Sequence, residues 1–177
     1  MQATFIRHLP TEWNKKTWLQ GRRDISISPV TENDLKDIQA NKEYLESLAP
    51  FDLVLASTLK RTQETAQLYG YEPKIEQLLD ELDFGTFEGV PKEKMIESLG
   101  VDWIKNPLSI TVGEPVRDLE KRIISFIQMY KRNKNILVFG HGAWIRGIRS
   151  YLIYGNINQM NKMELKNNDY LSIQLLS

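Results

Sequence analysis

The 177-residue sequence has no cysteine and only two histidines, His8 and His141. The first absence excludes disulfides, thiolate metal sites and a cysteine nucleophile. With two histidines, a tetrahedral zinc site would have to take most of its ligands from carboxylates, so neither a metal nor another cofactor is expected. An excess of one charge is also missing. Lys+Arg and Asp+Glu number 23 each, and no basic field points to nucleic acid. No apolar run approaches the roughly 20 residues that cross a bilayer. The opening MQATFIRH lacks the apolar core and cleavage pattern of a secretory signal. A cytoplasmic protein with no membrane or nucleic-acid partner is the expectation, and no feature sets an oligomeric state. Repeats and low-complexity segments are absent too. What remains is an ordinary globular composition, 41% hydrophobic and 26% charged, long enough for one domain over residues 1–177.

Short apolar runs at 3–6 (ATFI), 52–56 (DLVLA) and 136–139 (ILVF) are bounded by polar residues, as central strands covered on both faces would be. Helical stripes lie between them. Thr31 is a candidate N-cap for a helix whose stripe is Leu35, Ile38, Leu45 and Leu48, interrupted by Lys42. Leu59, Thr62, Ala66 and Tyr69 form a second stripe after Ser57. Pro115 suits a first helical position ahead of Val116, Leu119, Ile123, Phe126 and Tyr130. Residues 143–154 form another helix, 155–169 form a polar surface connection, and YLSIQLL forms a last strand at a sheet edge. The alternation predicts a three-layer α/β/α sandwich with a mostly parallel central sheet.

In open α/β sheets, ligands bind beyond the carboxyl ends of the strands. Arg7-His8, Ser57 and Gly140-His141-Gly142 each follow a predicted strand, so both histidines fall on one rim. Ser57 or Thr58 can cap the helix that follows, which puts Arg61 in its first turn, a place suited to an anion. Gly142 leaves a backbone N–H accessible where another helix starts. No Gly-Lys-Ser/Thr follows, and position 145 is Ile, so this is neither a Walker loop nor a dinucleotide fingerprint.

Four motifs taken together resemble the histidine phosphatase superfamily, which includes phosphoglycerate mutase. RHLPTEWN is similar to its Arg-His-Gly-x-Thr-x-x-Asn signature and STLKRTQETA to its Ser-x-Leu-x-Arg segment. DELDFGTFEG resembles its acid motif, and GHG its second histidine. LQGRRD and GEPVRDLEKRI are weaker matches in the right order. The resemblance implies a phosphoglycerate mutase-like fold and a small phosphorylated substrate hydrolysed without a metal. His8 would become a phosphohistidine. Arg7, Asn14, Arg61, His141 and the Gly142 backbone would hold the phosphoryl oxygens, and Glu81 would move the proton. Cations around His8 would keep it neutral and nucleophilic.

One departure stands out, because Leu9-Pro10 replaces the motif's Gly-Glu. Leucine adds bulk and proline removes a donor, so a reshaped pocket rim is expected, with a phosphate-binding pseudoenzyme as an alternative. A mutase-type phosphoryl transferase is a second alternative. The short stretch from 82 to 140 between acid and second histidine favours water as acceptor. A protein-phosphohistidine phosphatase is a third, but compact members of that type lack the acid motif. Glu88 is expected to be a structural partner. Glu114 is the rival to Glu81 as proton donor, or else a carboxylate at a helix N-terminus. Segments 14–24 and 90–113 are expected to form the leaving-group side, with Trp13 or Phe84 lining it.

Overall fold

The apolar runs form a five-stranded sheet in a computed structural model that describes residues 1–175. In chain order the elements are β1 (Gln2–Arg7), α1 (Glu12–Lys15), α2 (Glu32–Leu48), β2 (Leu53–Ala56), α3 (Lys60–Leu68) and β3 (Lys74–Ile75). There follow α4 (Lys92–Leu99), α5 (Asp102–Lys105), α6 (Val116–Tyr130), β4 (Asn135–Gly140), α7 (Gly142–Tyr154) and β5 (Tyr170–Gln174). The sheet order is β3-β2-β4-β1-β5. Four strands are parallel, and β5 closes one edge antiparallel to β1. Strand YLSIQLL therefore lies at an edge as expected, though Leu176 falls outside the described residues.

Neighbouring strand residues point to opposite faces. Phe5, Leu55 and Val138 join the core under α6 and α7, whereas Ile6, Ala56 and Phe139 join the one under α2 and α3. Helices thus cover both faces, which is the predicted three-layer sandwich. The α6 stripe from Val116 to Tyr130 is buried throughout, and Ile38 and Leu45 anchor α2. Leu35 is 53% exposed and does not join that stripe.

Helix ends differ from expectation in informative ways. Thr31 does cap α2, in a reciprocal pair with Asp34. The N-cap of α3 is instead Leu59, because Ser57 and Thr58 have other partners: His141 takes Ser57 and Asp80 takes Thr58. Pro115 is the N-cap of α6, one residue before the expected position, and α7 starts at Gly142. The stretch 155–169 is not a plain surface connection. Ile157 and Met160 are fully buried, and residues 161 and 163–167 line the main cavity. Among the described residues no helix is long and apolar enough to cross a membrane.

Register positions the site. Arg7 pairs with Gly140 across β1 and β4, and Ala56 pairs with Phe139 across β2 and β4. The three strands end level, and the His8 N–H continues the ladder to the Gly140 carbonyl at 3.0 Å. This brings His8, Ser57 and His141 side by side.

Candidate active site

Beyond these strand ends opens a cavity of about 540 Å³. Arg7, His8, Asn14, Arg61, Glu81 and Gly142 all line it. His141 stands behind them, fully buried, its ring centroid 5.3 Å from that of His8.

The imidazoles are oriented by their neighbours. Nδ1 of His8 lies 2.7 Å from the Leu9 carbonyl, an acceptor only, so Nδ1 carries the proton and Nε2 keeps a lone pair. Nε2 of His141 lies 2.7 Å from Ser57 Oγ, while its Nδ1 is buried without a partner among the described residues. Burial, then Arg61 and Arg7, hold His8 well below the usual histidine range, against a smaller opposing effect of the Leu9 carbonyl. Burial lowers His141 as well, followed by Arg61, His8, Arg7 and Arg122. Both rings are neutral at physiological pH.

Their burial predicts a pH dependence of stability. A histidine whose folded pKa is depressed takes up its proton more readily when unfolded. Its stabilising effect is therefore complete above about 6.5 and is lost as pH falls below that value, by up to about 1.4 kcal/mol per pH unit for each ring. Urea unfolding should show falling stability between pH 7 and pH 5.5, with a shallower slope in His8→Asn. An unchanged slope would contradict a buried neutral His8.

The guanidinium groups are braced by backbone carbonyls. Arg7 Nη1 donates to Leu165 O at 2.6 Å, and Arg61 donates to Arg23 O and Gly21 O, both at 2.7 Å. The Nε of each is buried with no partner among the described residues. Burial pushes Arg7 down to about 10, with Arg146 next in effect. Burial also pushes Arg61 down to about 10, against an opposing pull from Glu81. Both remain cations. Asn14 Oδ1 is occupied by Thr11 N, Thr11 Oγ1 and Asn167 Nδ2, which directs its amide NH₂ to other acceptors. Asn167 also holds the His8 carbonyl at 3.0 Å. Nothing in the sequence motifs singled out Asn167 or Ser57's bond to His141.

Glu81 sits on the N-terminus of α7, where Oε2 accepts from Ala143 N at 3.0 Å and Oε1 from Trp144 N at 3.1 Å. Among the described residues the Gly142 N–H has no protein acceptor. A Cβ on Gly142 would meet Arg146 Nη1 at 3.0 Å and Arg7 Cζ at 3.2 Å, so the glycine lets two guanidinium groups close in.

Glu114 does not reach the cavity. It accepts from Arg122, from Asp83 N at 3.0 Å, and pairs with Arg22 at 3.6 Å. Arg22 in turn donates to the Glu81 carbonyl at 2.8 Å, and Arg122 to that of Asp80. Glu114 thus braces the backbone that carries Glu81. Glu88 is structural as expected, accepting Arg22 N at 2.8 Å. It lies 2.1 Å from where a Gly21 Cβ would stand, and with φ +52° at Gly21 that position suits glycine alone.

Leu9 does not reshape the pocket rim. Its side chain turns into the core with Ile6, Ile38 and Leu45, and its N–H bonds Thr65 Oγ1 at 3.0 Å. Only its carbonyl serves the site, and any residue supplies one. The outer wall of the cavity includes Trp18, Phe84, Met95 and Trp103, together with residues 161 and 163–167. Trp13 is not on that wall but packs edge-on against Trp18 at 6.0 Å. Among the described residues no cluster of three His, Asp or Glu side chains could hold a metal ion.

A basic, strand-end cradle around a buried histidine, with Glu81 on the same cavity, is the arrangement that the resemblance to histidine phosphatases leads one to expect. The sequence profile of the histidine phosphatase superfamily (branch 1) matches residues 3–176. The chain belongs to that superfamily. A broad-specificity phosphatase of Saccharomyces cerevisiae is 32% identical over 170 residues, covering 85% of this chain and 70% of the yeast protein. A 2,3-bisphosphoglycerate-dependent phosphoglycerate mutase of Bartonella tribocorum is 28% identical over 177 residues, covering 90% and 85% of the two chains. In fold, the chain is similar to the solved alpha-ribazole phosphatase of Shigella flexneri, with a TM-score of 0.78 at 22% identity over 99% and 91% of the two chains.

Proposed function

We propose that residues 1–177 form one phosphatase domain that hydrolyses a small phosphomonoester through a phosphohistidine on His8, in the cytoplasm and without a metal. The observation that carries this reading is the 2.7 Å contact between His8 Nδ1 and the Leu9 carbonyl, which leaves the Nε2 lone pair on the cavity side. Nε2 attacks phosphorus while the bond to the ester oxygen breaks. That oxygen takes a proton from Glu81 and departs as an alcohol. Charge on the transferring oxygens is met by Arg7, Arg61, the Asn14 amide and the Gly142 N–H, donors fixed before the reaction starts. With its Nε2 accepting from the Ser57 hydroxyl, His141 offers its Nδ1–H from behind. Water then attacks phosphorus, the Nε2–P bond breaks, and Glu81 recovers its proton from that water.

Water is favoured over a second substrate as acceptor because only α4, α5 and short turns separate Glu81 from α6, and the cavity is open. Leu9 packed in the core argues against a pseudoenzyme, since its side chain stays off the cavity that His8 lines. The test is turnover of p-nitrophenyl phosphate in excess chelator, with orthovanadate as a competitive inhibitor that mimics the trigonal-bipyramidal centre. Turnover and inhibition that both persist in chelator are expected. Activity only with added divalent cations would contradict the reading.

A further inference from the structure

The turn before β5 wraps the end of β1, and Arg7 is held by it on three sides. Its N–H donates to Asp169 O and its carbonyl accepts from Asn168 N, both at 3.0 Å, while Nη1 reaches Leu165 O. The turn is itself fixed. Asp169 Oδ2 accepts from Lys166 N at 2.7 Å. Asn168 has φ +64°, a left-handed conformation that asparagine tolerates better than most residues. Its Oδ1 accepts from the Tyr69 hydroxyl at 2.5 Å, and its carbonyl from Asn41 Nδ2 at 2.9 Å.

Between these anchors stands Asn167, on the cavity wall. Its Nδ2 lies 3.0 Å from the His8 carbonyl and 3.2 Å from Asn14 Oδ1. A carbonyl only accepts, so the strand end sets the polarity of the Asn167 amide, and its two hydrogens serve the two acceptors. The other bonds to the Asn14 side chain come from Thr11, inside the same short turn. That turn is tied in its own right to Gln20 and Ser28, in the loop that follows α1. Thr11 thus sets which way the Asn14 amide faces, but not where it stands relative to the nucleophile. Asn167 is the one side chain among the described residues that bonds both His8 and Asn14.

We propose that Asn167 is a positioning residue for phosphoryl transfer: its amide holds the Asn14 donor and the His8 nucleophile at one separation. This role rests on the phosphatase reading, in which His8 is the nucleophile and Asn14 donates to the phosphoryl oxygens. Arg7 and Arg61 carry the charge of a bound phosphate. Asn14 is neutral, and the bond it gives depends on distance and direction. Its contribution is therefore greatest at the trigonal-bipyramidal centre, through which the attack of His8 and the attack of water both pass. A displacement of about 1 Å in such a group can cost about a hundredfold in rate. Loss of the Asn167 amide thus lowers kcat and leaves phosphate binding nearly intact.

Asn167→Ala should lower kcat on p-nitrophenyl phosphate about tenfold or more, with KM and the inhibition constant of inorganic phosphate within about threefold of wild type. Orthovanadate, which takes up the trigonal-bipyramidal geometry, should lose affinity about as much as kcat falls. In Asn14→Ala the same substitution should cost no more than about threefold, because the donor it positions is gone. A residue that only stabilises the fold would cost the same factor in both backgrounds and would weaken phosphate and vanadate alike. If Asn167→Ala does not fold, Asn167→Ser carries the comparison, since its hydroxyl can still donate to one acceptor, with the same split between phosphate and vanadate expected. A kcat within about twofold of wild type, equal costs with and without Asn14, or a loss confined to KM and phosphate affinity would overturn the role. Turnover that survives His8→Ala would instead overturn the phosphohistidine reading, and a selective loss of vanadate affinity in Asn167→Ala would still leave the positioning of Asn14 standing.

Discussion

His8→Ala is expected to lower kcat on p-nitrophenyl phosphate by about four orders of magnitude or more, the usual result of removing a nucleophile from residues that act as a unit. The rest of the cradle survives the change. Arg7 and Arg61 are held by the carbonyls of Leu165, Arg23 and Gly21, and Asn14 by Thr11 and Asn167. The protein should therefore still bind phosphate or vanadate while failing to turn over. The truncation also removes the bond to the Leu9 carbonyl and opens a small void, so folding should be checked by circular dichroism. A kcat above a tenth of wild type would mean that His8 is not the nucleophile.

The second large effect concerns the proton. An alkyl phosphate releases a poor leaving group that needs protonation as its bond breaks, whereas p-nitrophenolate departs unprotonated. Glu81→Gln should therefore cost about a hundredfold or more on a sugar or glycerol phosphate and within about tenfold on p-nitrophenyl phosphate. The ratio is the proper readout. A glutamine here would turn an NH₂ toward backbone donors now facing the carboxylate, Ala143 N and Trp144 N, which loosens the start of α7 for both substrates alike. Glu114→Gln should affect both substrates equally, because Glu114 touches Arg122, Arg22 and Asp83 and not the cavity. If the leaving-group dependence follows Glu114, the proton comes from there.

The layered sheet and its rim were legible in the sequence because strands buried on both faces are written as continuous apolar runs, with the polar chemistry placed where each run stops. Arg7, His8, Ser57 and His141 could be placed this way from β1, β2 and β4. The pocket's outer wall could not. Residues 155–169 look polar and unstructured, and the burial of Ile157 and Met160 depends on contacts with α6 and α7 rather than on any local period. Leu9 illustrates a different limit. Sequence shows bulk where a glycine was expected, but which way a single side chain turns at a strand end is decided by packing against α2. Of the two aromatics expected on the wall, Phe84 lines the cavity and Trp13 does not, because Trp13 packs edge-on against Trp18 instead. Ser57 was expected to cap a helix, and its partnership with His141 arises only from the register of β2 on β4.

The phosphohistidine itself can be trapped. Wild-type protein mixed briefly with a fast substrate and quenched in alkali, where phosphohistidine survives, should carry one phosphoryl group. Mass spectrometry should place that group on the peptide containing His8, and acid should remove it. The label should be absent from His8→Ala and should accumulate when Glu81→Gln slows its hydrolysis. A phosphoryl group found on His141 or on a carboxylate, or turnover with no labelled protein at any quench time, would contradict the account.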